Sequence, residues 1–583
     1  MGKTGVGRSG LAFALGLGMA GAAFAQAAPG ATGVAVADPA VPRPATRPCT
    51  VNLLSGATFD DFSPRGFSYA PPAACAGPWS KIVLEADFSV TAGRQFDRTA
   101  TLWLGGVNLY FGTTQEPSAA VAPSWHVERD LTDYAPLFKR AQQGQAFIGN
   151  VVDGTYTGII HGSAKLVFYP AGLPAPAADA SDAVYPLGAD PVGATVALER
   201  GGDKLARTLS LPRNVERAYL DVFTQSQAGD EFWYTCVPDA YAEQAQSCGG
   251  GSFREAEISI DGQAAGVAPV YPWIYTGGID PYLWRPTPGV QTLNFMPYRV
   301  DLTPFAGLLS DGAPHEVAVQ VAGANGHFAA TAALLVYRDP HRPQVTGALV
   351  RNTLAGQPAT PQVSSTLATG ADGTTGGSID TTAQRSFVIE GYALTSHGKV
   401  TTRVTQRMAF ANRQDFSIDA STYRQAIAQH TDVERSSRTS IGALSSEYRE
   451  ELHYPLELIY DQVQAADQSS TTTTSVRQGY RRRFDQRLLG LTLYGASVDN
   501  RIDTTDALHY DAAGSLSGHQ GRSAQRYAYG DTLGACYRAT VTAANGGVDQ
   551  ADAGRGCPGG VNRVPWSAHP DGSPDGRAWQ PAL

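Results

Sequence analysis

Apolar and polar residues alternate in short runs along most of this chain, the signature of strands that bury one face and wet the other. Between Cys49 and Pro170 the runs are KIVLEADFSV, ATLWLGGVNLYF, SWHVERDL, QAFIGNVV and SAKLVFYP, each bounded by Gly, Pro, Asp or Asn. A stretch rich in Pro, Ala and Asp, 171–190, interrupts the alternation and predicts a linker. A second series follows over 191–340, with VERAYLDVFTQS, FREAEISIDG, GVAPVYPWIYTG, YRVDLTPF, HEVAVQVAG and TAALLVYRD. Spacing of this kind fits two β-sandwich domains, 49–170 and 191–340, but does not by itself distinguish one sandwich topology from another.

From 341 to 583 the texture changes. Polar, small-residue tracts such as SSTLATGADGTTGGS separate candidate strands SFVIEGYALT, KVTTRVTQRMAF, QDFSIDA and LLGLTLYGASV. The pattern predicts a third, β-rich domain, a meander of long, solvated antiparallel strands. Thr471–Thr474 and Arg481–Arg483 read either as a hairpin face or as a linker.

The first residues read as a targeting segment. Lys3 and Arg8 precede the apolar run Leu11–Phe24, and Ala23-Phe24-Ala25 resembles a signal-peptidase site, so 1–25 is expected to be a cleaved signal peptide. The Pro/Ala-rich 26–48 then reads as an extended leader with no core to bury. These features predict an exported protein, secreted or periplasmic, with no membrane anchor after cleavage. Six cysteines agree with an oxidising compartment. Cys49/Cys75, Cys236/Cys248 and Cys536/Cys557 are sequence-local pairs, although spacing alone leaves their connectivity open. The net charge of −9 gives no polyanion-binding footprint, which argues against nucleic acid as a partner.

The run Gly229–Phe305 concentrates the candidate chemistry. Asp230 and Glu231 sit among aromatics, followed by Trp273, Tyr275, Trp284 and Arg285; Asp97, Arg98 and Glu116 form a second charged segment upstream. Aromatic faces among a few charges suit a sugar cleft, where C–H faces stack and hydroxyls need polar partners. Each residue also has a plainer reading. Asp97–Arg98 is a surface pair at a strand start, Glu116 a loop glutamate beside Pro117, and Asp230 a turn residue. Arg285 is an arginine stacked on Trp284, and the three aromatics are core. Trp103 reads as core. No G-x-S-x-G elbow, P-loop, H-E-x-x-H or dinucleotide fingerprint occurs, and His126, His161 and His315 are isolated; no metal or cofactor is expected.

A set of longer runs carries a family resemblance. WSKIVLEADF, GRQFDRTATLWLGGV, TTQEPS, WHVERDLTDYAPL, DGTYTGIIH, GDEFWY, YTGGIDPYLWRP and DLTPFAGLLSDGAPHEVAVQV occur in one order between Trp79 and Val321. Together they resemble peptide-N4-(N-acetyl-β-glucosaminyl)asparagine amidase of the plant and fungal type, peptide:N-glycanase A. The resemblance implies two adjacent eight-stranded jelly rolls and a hydrolase that cuts the amide between N-acetylglucosamine and asparagine. N-glycopeptides and denatured N-glycoproteins would be its substrates, and the protein would act as a monomer. The Phe96-Asp97-Arg98 triplet is similar to that of the bacterial relative peptide:N-glycanase F, which implies Asp97 as the main catalytic acid/base with Arg98 beside it. The Glu-Phe pair likewise implies Glu231 as a water-orienting, sugar-contacting group, and Glu116 matches a further glutamate more loosely. Arg98 is expected to lower the Asp97 pKa. A non-catalytic glycan-binding sandwich and an endo-β-N-acetylglucosaminidase are the alternatives.

Overall fold

The computed structural model describes residues 28–173, 175–579 and 581. The expected signal peptide, 1–25, lies outside them. The first sandwich comprises β1 (Cys49–Phe59), β2 (Arg65–Tyr69), β3 (Trp79–Val90), β4 (Thr99–Leu104), β5 (Val107–Thr113), β6 (Ser124–Asp130), β7 (Gln142–Ile148) and β8 (Ile160–Pro170). Its sheets have the orders β1-β8-β3-β6 and β2-β7-β4-β5. Antiparallel pairing of β1 with β8, β2 with β7, β3 with β6 and β4 with β5 makes the domain one long hairpin rolled up on itself, the winding of a jelly roll.

The second sandwich starts at β9 (Ala183–Pro186) and continues with β10 (Val196–Arg200), β11 (Leu205–Ser210), β12 (Val215–Gln227), β13 (Glu255–Ile260), β14 (Gln263–Pro269), β15 (Tyr298–Asp301), β16 (Pro314–Ala322) and β17 (Asn325–Arg338). Sheets β10-β17-β12-β15 and β11-β16-β13-β14 repeat the winding of the first domain strand for strand. The extra strand β9 pairs with β17, so the expected linker 171–190 is partly structural. Proline and alanine content marked a break in alternation there, but four residues of backbone still complete a ladder.

The remaining strands are β18 (Thr346–Asn352), β19 (Gln362–Ser365), β20 (Ala368–Thr369), β21 (Thr375–Thr395), β22 (Gly398–Ile418), β23 (Thr422–Ile441), β24 (Leu444–Gln464), β25 (Ser470–Leu488), β26 (Leu491–Tyr510), β27 (Leu516–Asp531), β28 (Cys536–Ala544) and β29 (Gly547–Ala553). They form a single 12-stranded sheet in which β21 to β29 follow one another as a meander. The run Thr471–Thr474 and the arginines Arg481–Arg483 both lie within β25, on a strand face. The strands are not solvated on both sides. Along β22, Gln406, Met408, Phe410, Asn412, Gln414 and Phe416 all face inward and are buried against the second sandwich. Amides occupy half of that stripe, which is why a hydropathy pattern read it as wet.

The leader also departs from expectation. Although its described residues, 28–48, form no helix or strand, it buries Ala35, Ala37 and Val41 and joins three parts of the molecule. The Ala35 amide donates to Pro286 O (3.0 Å) and the Ala37 amide to Gln525 Oε1 (2.7 Å). Asn500 Nδ2 and Gln525 Nε2 each donate to the Asp38 carboxylate at 2.9 Å, and Arg43 bridges Glu85 and Glu128 at 2.7 Å. All three sequence-local cysteine pairs are disulfides, Cys49–Cys75, Cys236–Cys248 and Cys536–Cys557.

Asp38→Ala leaves two amide donors of the third sheet without their acceptor, which is expected to cost roughly 1–3 kcal/mol. A lowered urea midpoint with an unchanged slope would bear this out. An unchanged midpoint would mean that the strap is not part of the packing.

Candidate active site

Asp97 and Glu116 flank the open end of the β4–β5 hairpin. Its last pair is Thr99 opposite Thr113, and three further bonds continue it: Thr114 N to Arg98 O (2.9 Å), Arg98 N to Thr114 Oγ1 (2.8 Å) and Asp97 N to Glu116 Oε1 (3.3 Å). The hairpin thereby sets the two acids side by side at one edge of the first sandwich.

The second sandwich supplies the other wall. Loop 270–297, between β14 and β15, carries one short helical turn, Pro281–Trp284, but no strand, and docks against the hairpin through hydrogen bonds on both backbones. Thr113 N donates to Thr292 O (3.0 Å), Tyr110 Oη to Leu293 O (2.7 Å), Gln115 Nε2 to Trp284 O (2.9 Å) and Thr276 Oγ1 to Thr114 O (2.7 Å). Gly277 is thereby brought directly under the acids. A Cβ at Gly277 would collide with Glu116 Oε1 and lie 2.5 Å from Asp97 Oδ1. Its backbone amide instead donates to Asp97. The requirement for glycine is one of space. Strain does appear beside it at Ile279, a β-branched residue held at φ 68°, in the turn that leads to Asp280.

Glu231 enters from the turn after β12, where its amide donates to Ala228 O (3.1 Å) and Ala228 itself is held at φ 47°. The Cys236–Cys248 disulfide closes the loop that follows. Phe232 packs its ring against the Gly278 position, so Glu231 and Gly277 belong to one wall.

Burial dominates the electrostatics. It pushes the Asp97 carboxyl up to about 6, against the opposing pull of Arg98 and the Gly277 amide. The expectation that Arg98 sets the pKa low is therefore reversed, because desolvation outweighs one half-buried cation. Burial, then the charge on Asp97, raises Glu116 to about 7, with Arg285 opposing. The same two causes raise Glu231 to about 7. Asp97 thus ionises ahead of the two glutamates, and between about pH 6 and about pH 7 an ionised Asp97 coexists with protonated glutamates.

The structure sorts the remaining site expectations. Arg285 Nη2 reaches Glu116 Oε2 (3.2 Å) and Pro117 O (3.1 Å), and its guanidinium lies over Tyr282 (5.2 Å) rather than Trp284. Arg98 Nη2 donates to Gln95 Oε1 (2.8 Å). The Nε atoms of Arg98 and Arg285 are buried and donate to no described residue. Asp230, by contrast, is a structural acid. It is fully buried, takes bonds from Arg254 (2.8 and 3.0 Å) and accepts from the Asn325 and His327 amides (2.9 and 3.0 Å), with no face toward the cleft. Trp273, Tyr275 and Trp284 are buried wall residues rather than sugar platforms. Trp273 packs on Phe295 (4.4 Å), Trp284 Nε1 donates to Gly278 O (2.9 Å) and Tyr275 Oη bonds Ser226 O. In a long loop of a β sandwich, aromatic content alone does not distinguish a ring that lines a cleft from one that fills the wall behind it.

Sequence reasoning missed Thr114, Gly277 and a second acid pair. Asp280, under the turn that carries Arg285, faces Asp506 of β26, and each has a buried Oδ2 without a partner when both are drawn as carboxylates. One shared proton satisfies both, and burial with the neighbouring Asp506 charge raises Asp280 to about 7. His519 lies against the same pair, 3.2 Å from Asp506, and stacks on Tyr282 at 4.0 Å. The only hint in the sequence was the Gly-Gly step in YTGGIDPYLW; Asp506 is far away along the chain.

Comparison with known proteins now adds to this geometry. Residues 39–353 match the family described as peptide N-acetyl-β-D-glucosaminyl asparaginase amidase A, and 378–456 match the C-terminal domain of that family. The chain belongs to this amidase A family. Peptide-N4-(N-acetyl-β-glucosaminyl)asparagine amidase A of Prunus dulcis is 31% identical over 396 residues, covering 63% of this chain and 67% of that protein. Solved structures of recombinant peptide:N-glycanase F (14% identity, 50% of this chain and 96% of that one, TM-score 0.32) and of PNGF-II (14%, 51% and 66%, 0.34) are also similar. Similarity at this level does not extend to individual residues. In the family sequence matched here, the acids Asp97, Glu116 and Glu231 and the loop with Gly277 all fall inside the first matched region.

Gly277→Ala is expected to lower kcat about 100-fold by displacing both acids, with little change in melting temperature. Activity within a few-fold of the unmodified enzyme would mean that the acids do not act from these positions.

Proposed function

We propose that this enzyme is an exported glycoamidase that releases intact N-glycans from glycopeptides and denatured glycoproteins by direct attack of water on the asparagine amide. Amide resonance makes the carbonyl a poor electrophile and the nitrogen a poor leaving group. The reaction therefore needs a base for water, donors for the oxyanion and an acid for nitrogen. The observation that carries the reading is the convergence of Asp97 and Glu116 on Gly277, with Glu231 beside them and their ionisations staggered.

In this reading ionised Asp97 takes a proton from water as its oxygen bonds to the asparagine carbonyl carbon. The half-buried guanidiniums of Arg98 and Arg285 supply positive charge and donors for the carbonyl oxygen or a sugar hydroxyl. Glu231, protonated, gives its proton to the amide nitrogen as the C–N bond breaks, leaving aspartate on the peptide and a glycosylamine on the glycan. Glu116 holds Arg285 and the Asp97 amide in place. No covalent enzyme intermediate is required. The wall formed by Trp273, Tyr275 and Trp284 keeps the loop rigid while the chitobiose core occupies the cleft.

The test is mass spectrometry of a defined N-glycopeptide incubated with the mature enzyme in ¹⁸O-labelled water. A peptide carrying labelled aspartate at the former asparagine is expected from the unmodified enzyme and none from Asp97→Asn. A peptide that keeps one N-acetylglucosamine would make the enzyme an endoglycosidase, and an unchanged peptide would make it a binding protein.

A further inference from the structure

A groove between the two sandwiches has one end close in sequence to the acids but is lined by none of them. Its floor is the outer face of β4 and β7. Register sets Thr101 beside Phe147 and Trp103 beside Gln145, while the intervening Ala100, Leu102, Ala146 and Ile148 point into the core. The near end is Thr99, two residues from Asp97, and Gln227, four residues before Glu231. From Thr99 to Trp103 the floor extends roughly 13 Å. The opposite wall comes from the second sandwich through His327, Ala329 and the segment Gly193–Thr195. The groove, open on one side, has a volume of about 510 Å³, within the range of small-ligand sites.

Three features describe what fits. No carboxylate, lysine or arginine lines the groove, so its ligand is neutral. The Gln145 and Gln227 amides are oriented by bonds from their nitrogens, to Gly193 O (2.7 Å) and Thr99 Oγ1 (2.8 Å). Their oxygens accept nothing from the described residues and stand ready for hydroxyl donors. At the rim Phe62 is 62% exposed, an unusual position for a large ring. It is seated on Gly149, where a Cβ would come within 2.7 Å of the ring, so it is a fixed, open aromatic face beside Phe147. β4 and β7 are interior strands of the order β2-β7-β4-β5, so the floor offers no free backbone edge for a peptide to pair with.

We propose that this groove is a subsite for the outer, mannose-bearing arm of the glycan, with Phe62 as its stacking platform and Gln145 and Gln227 as its hydroxyl acceptors. The subsite rests on the amidase reading for its biological meaning, but binding tests it separately. Titration calorimetry with a branched mannose oligosaccharide lacking its chitobiose is expected to show binding to the unmodified enzyme, about tenfold weaker binding to Phe62→Ala, and recovery in Phe62→Tyr. The ratio of kcat/KM for a fully glycosylated peptide over the same peptide carrying only chitobiose is expected to fall about tenfold in Phe62→Ala. The proposal is overturned if the unmodified enzyme does not bind the oligosaccharide, if Phe62→Ala binds it equally well, or if the loss follows peptide length rather than glycan length. Oligosaccharide binding without glycan release would support the groove while removing the amidase reading.

Discussion

Loop 270–297 has no ladder of its own, yet most of it is buried and none of it is exposed, so many of its carbonyls and amides must find partners outside the loop. They find them on two sides. The β4–β5 hairpin answers from the first sandwich through Tyr110, Thr113 and Gln115, and the third sheet answers from behind. Gln478 donates to Pro272 O (2.7 Å) and accepts from Val290 N (2.9 Å), Tyr271 Oη reaches Gly479 O (3.1 Å), and Thr504 Oγ1 donates to Leu283 O (2.9 Å). The turns after Glu231 are held the same way, by Asn412 on Tyr234 O, Gln414 on Cys236 O and Gln425 on Thr235 O, each at 2.9 Å. The third domain is thus the back plate of the site, and its inward amides make an irregular, catalytically shaped loop affordable.

That role accounts for what was and was not legible in the chain. Strand periodicity located both sandwiches and the long meander, because alternation follows directly from the pleat. Asp97, Glu116 and Glu231 were legible through the motifs around them, and the structure brings all three to one place. Alternation could not say that the polar face of β22 is buried, since Gln and Asn count as wet in any hydropathy pattern but pair with loop carbonyls here. Nor could it see that the leader straps the sheet to the first sandwich, because its contacts to the sheet are made to residues hundreds of positions away. Asp230 was misread for a related reason: its partner Arg254 and the amides of Asn325 and His327 become neighbours only in the fold. The acid pair Asp280–Asp506 is a longer-range case of the same kind.

Burial sets the chemistry of the acids as well as their position. Three carboxyls in a half-dry cleft cannot all ionise together without mutual repulsion, and Arg98 and Arg285 only partly compensate. The result is a site in which one acid is a base while its neighbours still hold protons, close to neutrality. Such an arrangement destabilises the fold above the ordinary carboxyl range. A raised pKa keeps the folded chain protonated where the unfolded chain has ionised, so stability is lost as pH rises from about 4 toward about 7. The disulfide after Glu231, the buried aromatics of the loop and the third sheet offset that cost.

The claim at the centre of this account is that the domain interface holds Asp97, Glu116 and Glu231 as one interacting set. Carbon-13 NMR titration of carboxyl-labelled enzyme tests it most directly, with single Asp→Asn and Glu→Gln variants to assign the signals. The account predicts one aspartate titrating near 6 and two glutamates near 7, with both glutamates moving down in Asp97→Asn. Ordinary values near 4 for all three, or glutamates indifferent to Asp97→Asn, would contradict it.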